Sequence, residues 1–316
     1  MTTTLAGPTP VVAPRPGADR PRRRARMRER TAQWLFLVPA IAYVLVFFGY
    51  PIVKNLVMGS QDYTVRTFVS GEAPWVGLDN YVEVVTSSLF RTTVLNTALF
   101  TVGSIVGQFV IGLLFALFFK RRFPLGNVLR SLLLLPWLLP MIAGTAVWKW
   151  ILDQDGGVLN AALGSIGIAP VHWLTSPDVA LIAVVLVNVW VGIPFNMTLL
   201  YSGLQNIPDE LYEAGALDGA TGAKAFWHIT WPNLRPVVSV VLVLGVIYTL
   251  KVLDIILGLT GGGPANATQT LATDSYRRSF QEFSFGTGAA VSNILIVVSL
   301  LFAVVYLRVN KRAVDE

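Results

Sequence analysis

Of the 316 residues, 54% belong to the AVILMFWYC set and only 13% are charged, with a mean hydropathy of +0.61. Soluble globular chains carry about 25% charged residues, so this composition excludes a cytosolic enzyme, a secreted disulfide scaffold and a disordered tail protein, and assigns the chain to a membrane. The net charge is +6, cysteine is absent, and the two histidines, His172 and His228, leave little material for a metal site.

Eight of the 24 Lys and Arg residues lie in the first 30 positions, six of them from Arg22 to Arg30. Rich also in Pro, Thr and Ala, residues 1–31 read as a disordered basic tail. The apolar run starting at Trp34 is too long for a signal peptide and is followed by no small-residue cleavage pattern. The tail is therefore read as an orientation signal beside membrane lipid, and no nucleic acid is expected as a partner.

A hydrocarbon core about 30 Å thick takes roughly 20 apolar residues per helix. Six segments meet that length, at about 34–57, 93–119, 130–151, 178–202, 236–258 and 288–308. Leu, Val and Ile surround each of them, unlike a one-sided soluble helix. The expected fold is an all-α membrane protein of about six transmembrane helices in a domain at 32–310, ending in a short tail at 311–316. Prolines at 39, 51, 136, 140 and 194 predict kinks, which bundled membrane helices tolerate.

Basic residues orient the chain. With the N-terminus inside, 17 fall on the cytoplasmic side and 6 outside, Lys251 lying within a span. Both termini are expected in the cytoplasm, with loops 58–92 and 259–287 outside. Gly261-Gly262-Gly263-Pro264 in the latter must turn.

The only long cytoplasmic connection is at 206–236. Pro208-Asp209-Glu210 reads as a helix start, Leu211, Ala214 and Leu217 as a stripe, and Asp218-Gly219 as a stop. A second short helix carries Phe226 and Ile229 until Trp231-Pro232 breaks it. The product is a helix-turn-helix on the cytoplasmic face. Pattern alone fits an interfacial connector equally well. Gly219-Ala220-Thr221-Gly222-Ala223-Lys224-Ala225 lacks the spacing and the Ser/Thr of a phosphate loop. His172 and His228 fall on opposite sides of the membrane, so no shared metal site and no catalytic residues are expected.

Within the spans, Lys251 and Asp254 at i, i+3 can pair on one helix face or stand near a transport path. Asn96, Gln108, Asn188, Asn196 and Asn293 can bond between helices. Asn188 with Trp190, and Tyr248 with Asn293, combine an amide with an aromatic platform. These four and Asp254 are the candidate path residues.

Glu213-Ala214-Gly215, Asp218-Gly219-Ala220, Phe226, Ile229 and Pro232 together resemble the EAA loop of ABC-importer permeases. Gly215 stands where that family usually has Ala, and Trp231 where it usually has Leu. The first change costs about 1 kcal/mol in an isolated helix and predicts a looser one. Gly77-Leu78-Asp79-Asn80-Tyr81, Pro136-Trp137 and Leu259-Thr260-Gly261-Gly262-Gly263-Pro264 are similar to elements of maltose-type carbohydrate permeases, the first-subunit chain in particular. The resemblance spans about residues 34–310.

It implies one transmembrane subunit of an importer in the cell membrane, passing a sugar or oligosaccharide. Expected partners are a second permease subunit, two copies of a cytoplasmic ATPase and an extracytoplasmic sugar-binding protein. The chain itself would bind no cofactor and hydrolyse no ATP; ATP and Mg would belong to the partner ATPase, docked on the EAA-like loop. A permease for another solute, such as glycerol phosphate, and an ion-driven secondary transporter are the alternatives.

Overall fold

The structure, a computed structural model, describes residues 34–121 and 123–314. The expected tail at 1–31 lies outside them. Every regular element among the described residues is helical. The chain divides into two compact units at Lys54/Asn55.

Helix α1 runs Trp34–Met58. A wide π turn, Leu45–Gly49, stands just before Pro51, and Tyr43 packs on Phe47 with ring centroids 4.7 Å apart. Two short helices follow, α2 (Val65–Ser70) and α3 (Asp79–Thr86). The long α4 occupies Ser88–Lys120. The third apolar segment is not one straight helix: α5 (Gly126–Leu138) and α6 (Met141–Ile151) meet at 99°. Leu139 and Pro140 at the bend are extended, with ψ of 139° and 129°; residues preceding or forming a proline link leave the helical region readily.

After α7 (Val158–Ser165) come α8 (Pro177–Gln205), α9 (Asp209–Leu217) and α10 (Ala223–Leu250). The fifth span therefore ends at Leu250, short of the expected 258, and α11 (Asp254–Leu259) is a separate element. Helix α12 (Leu271–Tyr276) leads through a π turn to α13 (Phe285–Val314), so the boundary expected at 310 falls inside a helix. Among the described residues, five helices are long and apolar enough to span a bilayer, six if the bent pair counts as one span.

Helix α4 shows how such a bundle differs from a soluble one. Its buried face carries Thr93, Thr97, Thr101, Ser104 and Gln108, whereas Leu95, Leu99, Val102, Val106 and Leu114 are exposed. Polar groups face in and oil faces out, as lipid requires. Two of the threonines bond the preceding turn: Thr93 Oγ1 donates to Leu89 O at 2.8 Å and Thr97 Oγ1 to Thr93 O at 2.7 Å. Across the α4–α8 interface, Gly107 faces Val189 and Gly112 faces Asn196, where a β-carbon would come within 2.6–2.7 Å. Small residues let these two backbones approach closely.

One half of the bundle is packed around Phe100, Val184, Val187, Ile255 and Ile256, the other around Ala116, Leu200, Leu204, Leu234 and Val241. Amide side chains fix the loops at the first of these ends. Asn80 Nδ2 donates to Gly59 O and Gln61 O at 3.0 and 2.9 Å, and Asn96 Nδ2 to Asn266 O and Gln269 O at 3.1 Å each. Asn55 Nδ2 donates to Asn293 Oδ1 at 2.6 Å, and Asn293 Nδ2 to the Tyr81 hydroxyl at 2.9 Å. Asn80 and Tyr81 are the last two residues of the Gly-Leu-Asp-Asn-Tyr element, whose physical job is to hold α3 against the ends of α1 and α13.

Candidate functional site

Two sites sit at different depths: a helical corner between α9 and α10, and a cavity inside the bundle.

At the corner, α9 starts after Pro208 and carries Asp209 and Glu210 in its first turn. It ends in a Schellman motif: Ala220 N–H donates to Gly215 O at 2.7 Å and Gly219 N–H to Ala216 O at 3.1 Å, with Gly219 at φ +76°. Gly222 follows at φ +54°, ψ −120°, a region that only glycine enters without strain. Two positive-φ residues bracket Ala220 and Thr221, and the chain reverses there.

The nine residues singled out in this segment divide by direction. Glu213, Ala214, Asp218 and Gly219 are exposed, as is Leu217 at 91%. Gly215, Ala220, Phe226 and Ile229 are half-buried, and Pro232 lies in the first turn of the α-helical part of α10. Ile229 Cδ1 comes within 2.5 Å of the place a β-carbon on Gly215 would occupy. Glycine at this position therefore permits tight packing of the two helices; it does not loosen them. Tyr212 OH and Thr230 Oγ1 share a hydrogen bond at 2.9 Å, and Lys120 Nζ lies 3.8 Å from the Tyr212 ring centroid. These contacts fasten the corner to the bundle.

The helix break expected at Trp231-Pro232 does not occur. Phe226–Thr230 forms a π turn in which Trp231 N–H reaches back to Phe226 O, and the extra residue in that turn makes room for the proline ring. Asn233 Nδ2 takes up Ile229 O at 2.7 Å. The second short helix and the fifth span are consequently one continuous element, so a movement at the corner is a movement of α10.

The interior cavity, of about 520 Å³, lies between α4, α5, α6, α8 and the α10–α11 link. Of the five candidate path residues it gathers Asn188, Tyr248 and Asp254. Trp190 is not on its wall: two residues from Asn188 on a helix points well away from it, and its ring instead meets Trp148 edge-on at 5.5 Å. Asn293 is also elsewhere, bonded to Asn55 and Tyr81, and makes no pair with Tyr248.

Lys251 and Asp254 both line the cavity, but no ion pair joins them among the described residues. Because α10 stops at Leu250 and α11 starts at Asp254, the i, i+3 geometry of a helix face does not exist there. Lys251 Nζ lies instead 4.9 Å from the Tyr248 ring centroid.

The wall includes residues that the sequence did not single out for this role. Trp137 and Phe195 are two of these, and they join Tyr248 in a row, with centroids 5.9 and 6.0 Å apart. Gln108 Nε2 donates to Asn188 O at 3.0 Å, while Asn188 Nδ2 is buried with no hydrogen-bond partner. Asn188, Gly192 and Phe195 stand at i, i+4, i+7, so the spacing from Asn188 was a signal that could have found Phe195. A stripped amide donor beside an aromatic row suits a molecule with hydroxyl edges and apolar faces. No three metal-ligating side chains cluster among the described residues.

Residues 108–315 match the family described as Binding-protein-dependent transport system inner membrane component. The chain is 37% identical to the trehalose/maltose transport system permease protein MalF of Thermococcus litoralis, over 90% of this chain and 96% of that protein. It is 34% identical to the diacetylchitobiose uptake system permease protein DasB of Streptomyces coelicolor, over 93% and 92%. In fold it is similar to a chain from a bacterial ABC transporter involved in the import of the acidic polysaccharide alginate. That match has a TM-score of 0.78 at 23% identity and covers 92% of this chain and 99% of the other.

Proposed function

The chain belongs to the binding-protein-dependent transport system inner membrane components, multi-pass proteins of the cytoplasmic membrane, and from that premise we propose that it supplies one half of the translocation path for a sugar or oligosaccharide. The observation that carries the substrate class is the unpartnered, buried amide of Asn188, a residue that lines a cavity walled by Trp137, Phe195 and Tyr248. A sugar hydroxyl accepts from that amide, and a pyranose face lies on an aromatic ring. MalF and DasB carry the names of oligosaccharide systems, in keeping with this reading.

The remaining machinery is assigned by the same reading. A substrate-binding protein delivers the sugar from outside; a second permease closes the path; two cytoplasmic ATPases bind and hydrolyse ATP with Mg, and this chain hydrolyses none. Glu213, Ala214, Leu217, Asp218 and Gly219 form the outward surface on which one ATPase docks. Because α9 is clamped to a continuous α10, closure of the ATPases rotates a span whose far end, at Tyr248 and Lys251, borders the cavity.

Uptake of labelled di- and trisaccharides by cells carrying the complete system tests the substrate class: saturable accumulation of one of them, lost with this chain, is expected. Accumulation of only a non-carbohydrate solute overturns it. The orientation is tested separately, since the chain has no native cysteine. Leu217→Cys should react with an impermeant thiol reagent from the cytoplasmic side and Gln281→Cys from outside, both residues being exposed.

A further inference from the structure

A second, larger cavity, of about 1120 Å³, opens where α4 ends, α5 begins and α8 ends. Lys120, Arg121 and Arg130 line it, and Asp209 is the one carboxylate among its lining residues. None of the three cations forms a salt bridge among the described residues. Arg130 is held at the wall without being neutralised: its Nη2 donates to Asn127 Oδ1 at 3.1 Å and its guanidinium lies 4.5 Å from the Tyr201 ring centroid. The beginning of α5 also borders the space, with Gly126, Asn127 and Val128 on its wall, adding the positive end of a helix dipole.

Much of the remaining wall is apolar. Phe119, Phe123 and Leu204 line it, as does Leu125, the positive-φ residue that precedes α5 and is exposed by 70%; Leu129 and Leu132 follow on α5, exposed by 43 and 52%. A free anion would use the cations and leave this apolar row without a role. A molecule with a negative head and long hydrocarbon tails uses both.

We propose that this cavity is a binding site for an anionic phospholipid of the cytoplasmic leaflet, its phosphate among Lys120, Arg121 and Arg130 and its acyl chains along α5. The leaflet follows from the orientation proposed above; the lipid chemistry does not. Basic pockets between spans take phospholipid headgroups in this way. Lys120 stacks simultaneously on Tyr212 of the corner, so the lipid sits against the element that docks the ATPase.

The test uses the assembled transporter in vesicles containing photoactivatable phosphatidylglycerol or phosphatidylcholine of matched acyl length, followed by peptide mapping. Phosphatidylglycerol should label residues 119–132, phosphatidylcholine far less, and each of Lys120→Gln and Arg130→Gln should reduce the labelling about fivefold. Arg235→Gln, an exposed cation outside the cavity, should leave it unchanged.

Equal labelling by both lipids, or labelling indifferent to the Lys120→Gln/Arg130→Gln pair, overturns the proposal. So does its suppression by millimolar inorganic phosphate but not by chloride at equal ionic strength, which identifies a free-anion site. Labelling present in the isolated chain and absent from the assembled transporter assigns the cavity to an acidic partner surface and likewise overturns it. If labelling comes from the outer leaflet and Leu217→Cys also reacts from outside, the orientation fails and the lipid site stands.

Discussion

Ile229 Cδ1 occupies the space that a side chain at Gly215 would need, so these two residues, fourteen apart across a tight turn, act as one packing unit. Gly215→Ala, harmless or favourable in an isolated helix, should here cost about 1–3 kcal/mol through overpacking. Ile229→Val removes the offending methyl. The double variant should recover most of the thermal stability and ATPase association lost by Gly215→Ala alone, and strictly additive losses would falsify the contact.

The two turn glycines should respond differently to asparagine. Gly219 closes a Schellman motif at φ +76°, a conformation Asn accepts, so Gly219→Asn should keep co-purification with the ATPase. Gly222, at φ +54° and ψ −120°, lies outside the left-handed helical region. Gly222→Asn should strain the corner by about 1–3 kcal/mol and lose ATPase association while the spans still insert. Equal behaviour of the pair would mean that the corner's backbone geometry is irrelevant to docking.

Asn188→Leu removes the unpartnered buried amide donor at this cavity without stranding a partner, since Gln108 bonds the Asn188 backbone carbonyl. Membrane abundance and melting temperature should be unchanged, and transport should fall about tenfold for the loss of a single substrate hydrogen bond. Trp190→Leu should instead lower stability through its lost contact with Trp148. Uptake at the wild-type rate in Asn188→Leu would remove this cavity from the path.

Asp274 and Arg278 are both nearly buried, with Arg278 Nε donating to Asp274 Oδ2 at 3.1 Å, and Arg277 Nη2 reaching the other oxygen at 2.7 Å. Asp274→Ala takes the buried carboxylate from Arg278, leaving it only Glu83 at 3.5 Å, and leaves Arg277 to Glu282 alone; it should cost about 3–5 kcal/mol, read as a large fall in detergent-solubilised melting temperature. Asp274→Asn, which keeps an acceptor, should cost less.

The spans were readable in the sequence because lipid demands apolar surface over about 20 residues, and that demand leaves a local mark. So were the start of α9 at Pro208 and its end at Gly219, both set by backbone chemistry within a few residues. Other features depend on distant partners. Nothing between Tyr248 and Leu253 is a Gly or Pro stop, so the end of α10 at Leu250, and with it the separation of Lys251 from Asp254, left no local sign. The tightness around Gly215 is a tertiary contact, opposite in consequence to its helix propensity. Pro232 was visible, but the π turn that accommodates it is a response of the preceding five residues taken together. Of the path residues, Asn188, Tyr248 and Asp254 meet because α8 and α10 pack as they do; Trp190 and Asn293 share their chemistry but not their direction.

The inward polar face of α4 also bears on how the chain is made. Helix α4 is complete more than fifty residues before α8, its main neighbour, begins at Pro177. At about 5–20 residues per second, it waits several seconds in the bilayer before α8 has begun to emerge. Thr93 and Thr97 bridge that interval on their own helix, since each hydroxyl already donates to a carbonyl one turn back. Asn96 and Gln108 have no such recourse: their amides are satisfied by the 266–269 loop and by Asn188, all still to be synthesised. The nascent helix thus carries two hydroxyls satisfied on its own backbone and two amides whose partners come only with α8 and the 266–269 loop.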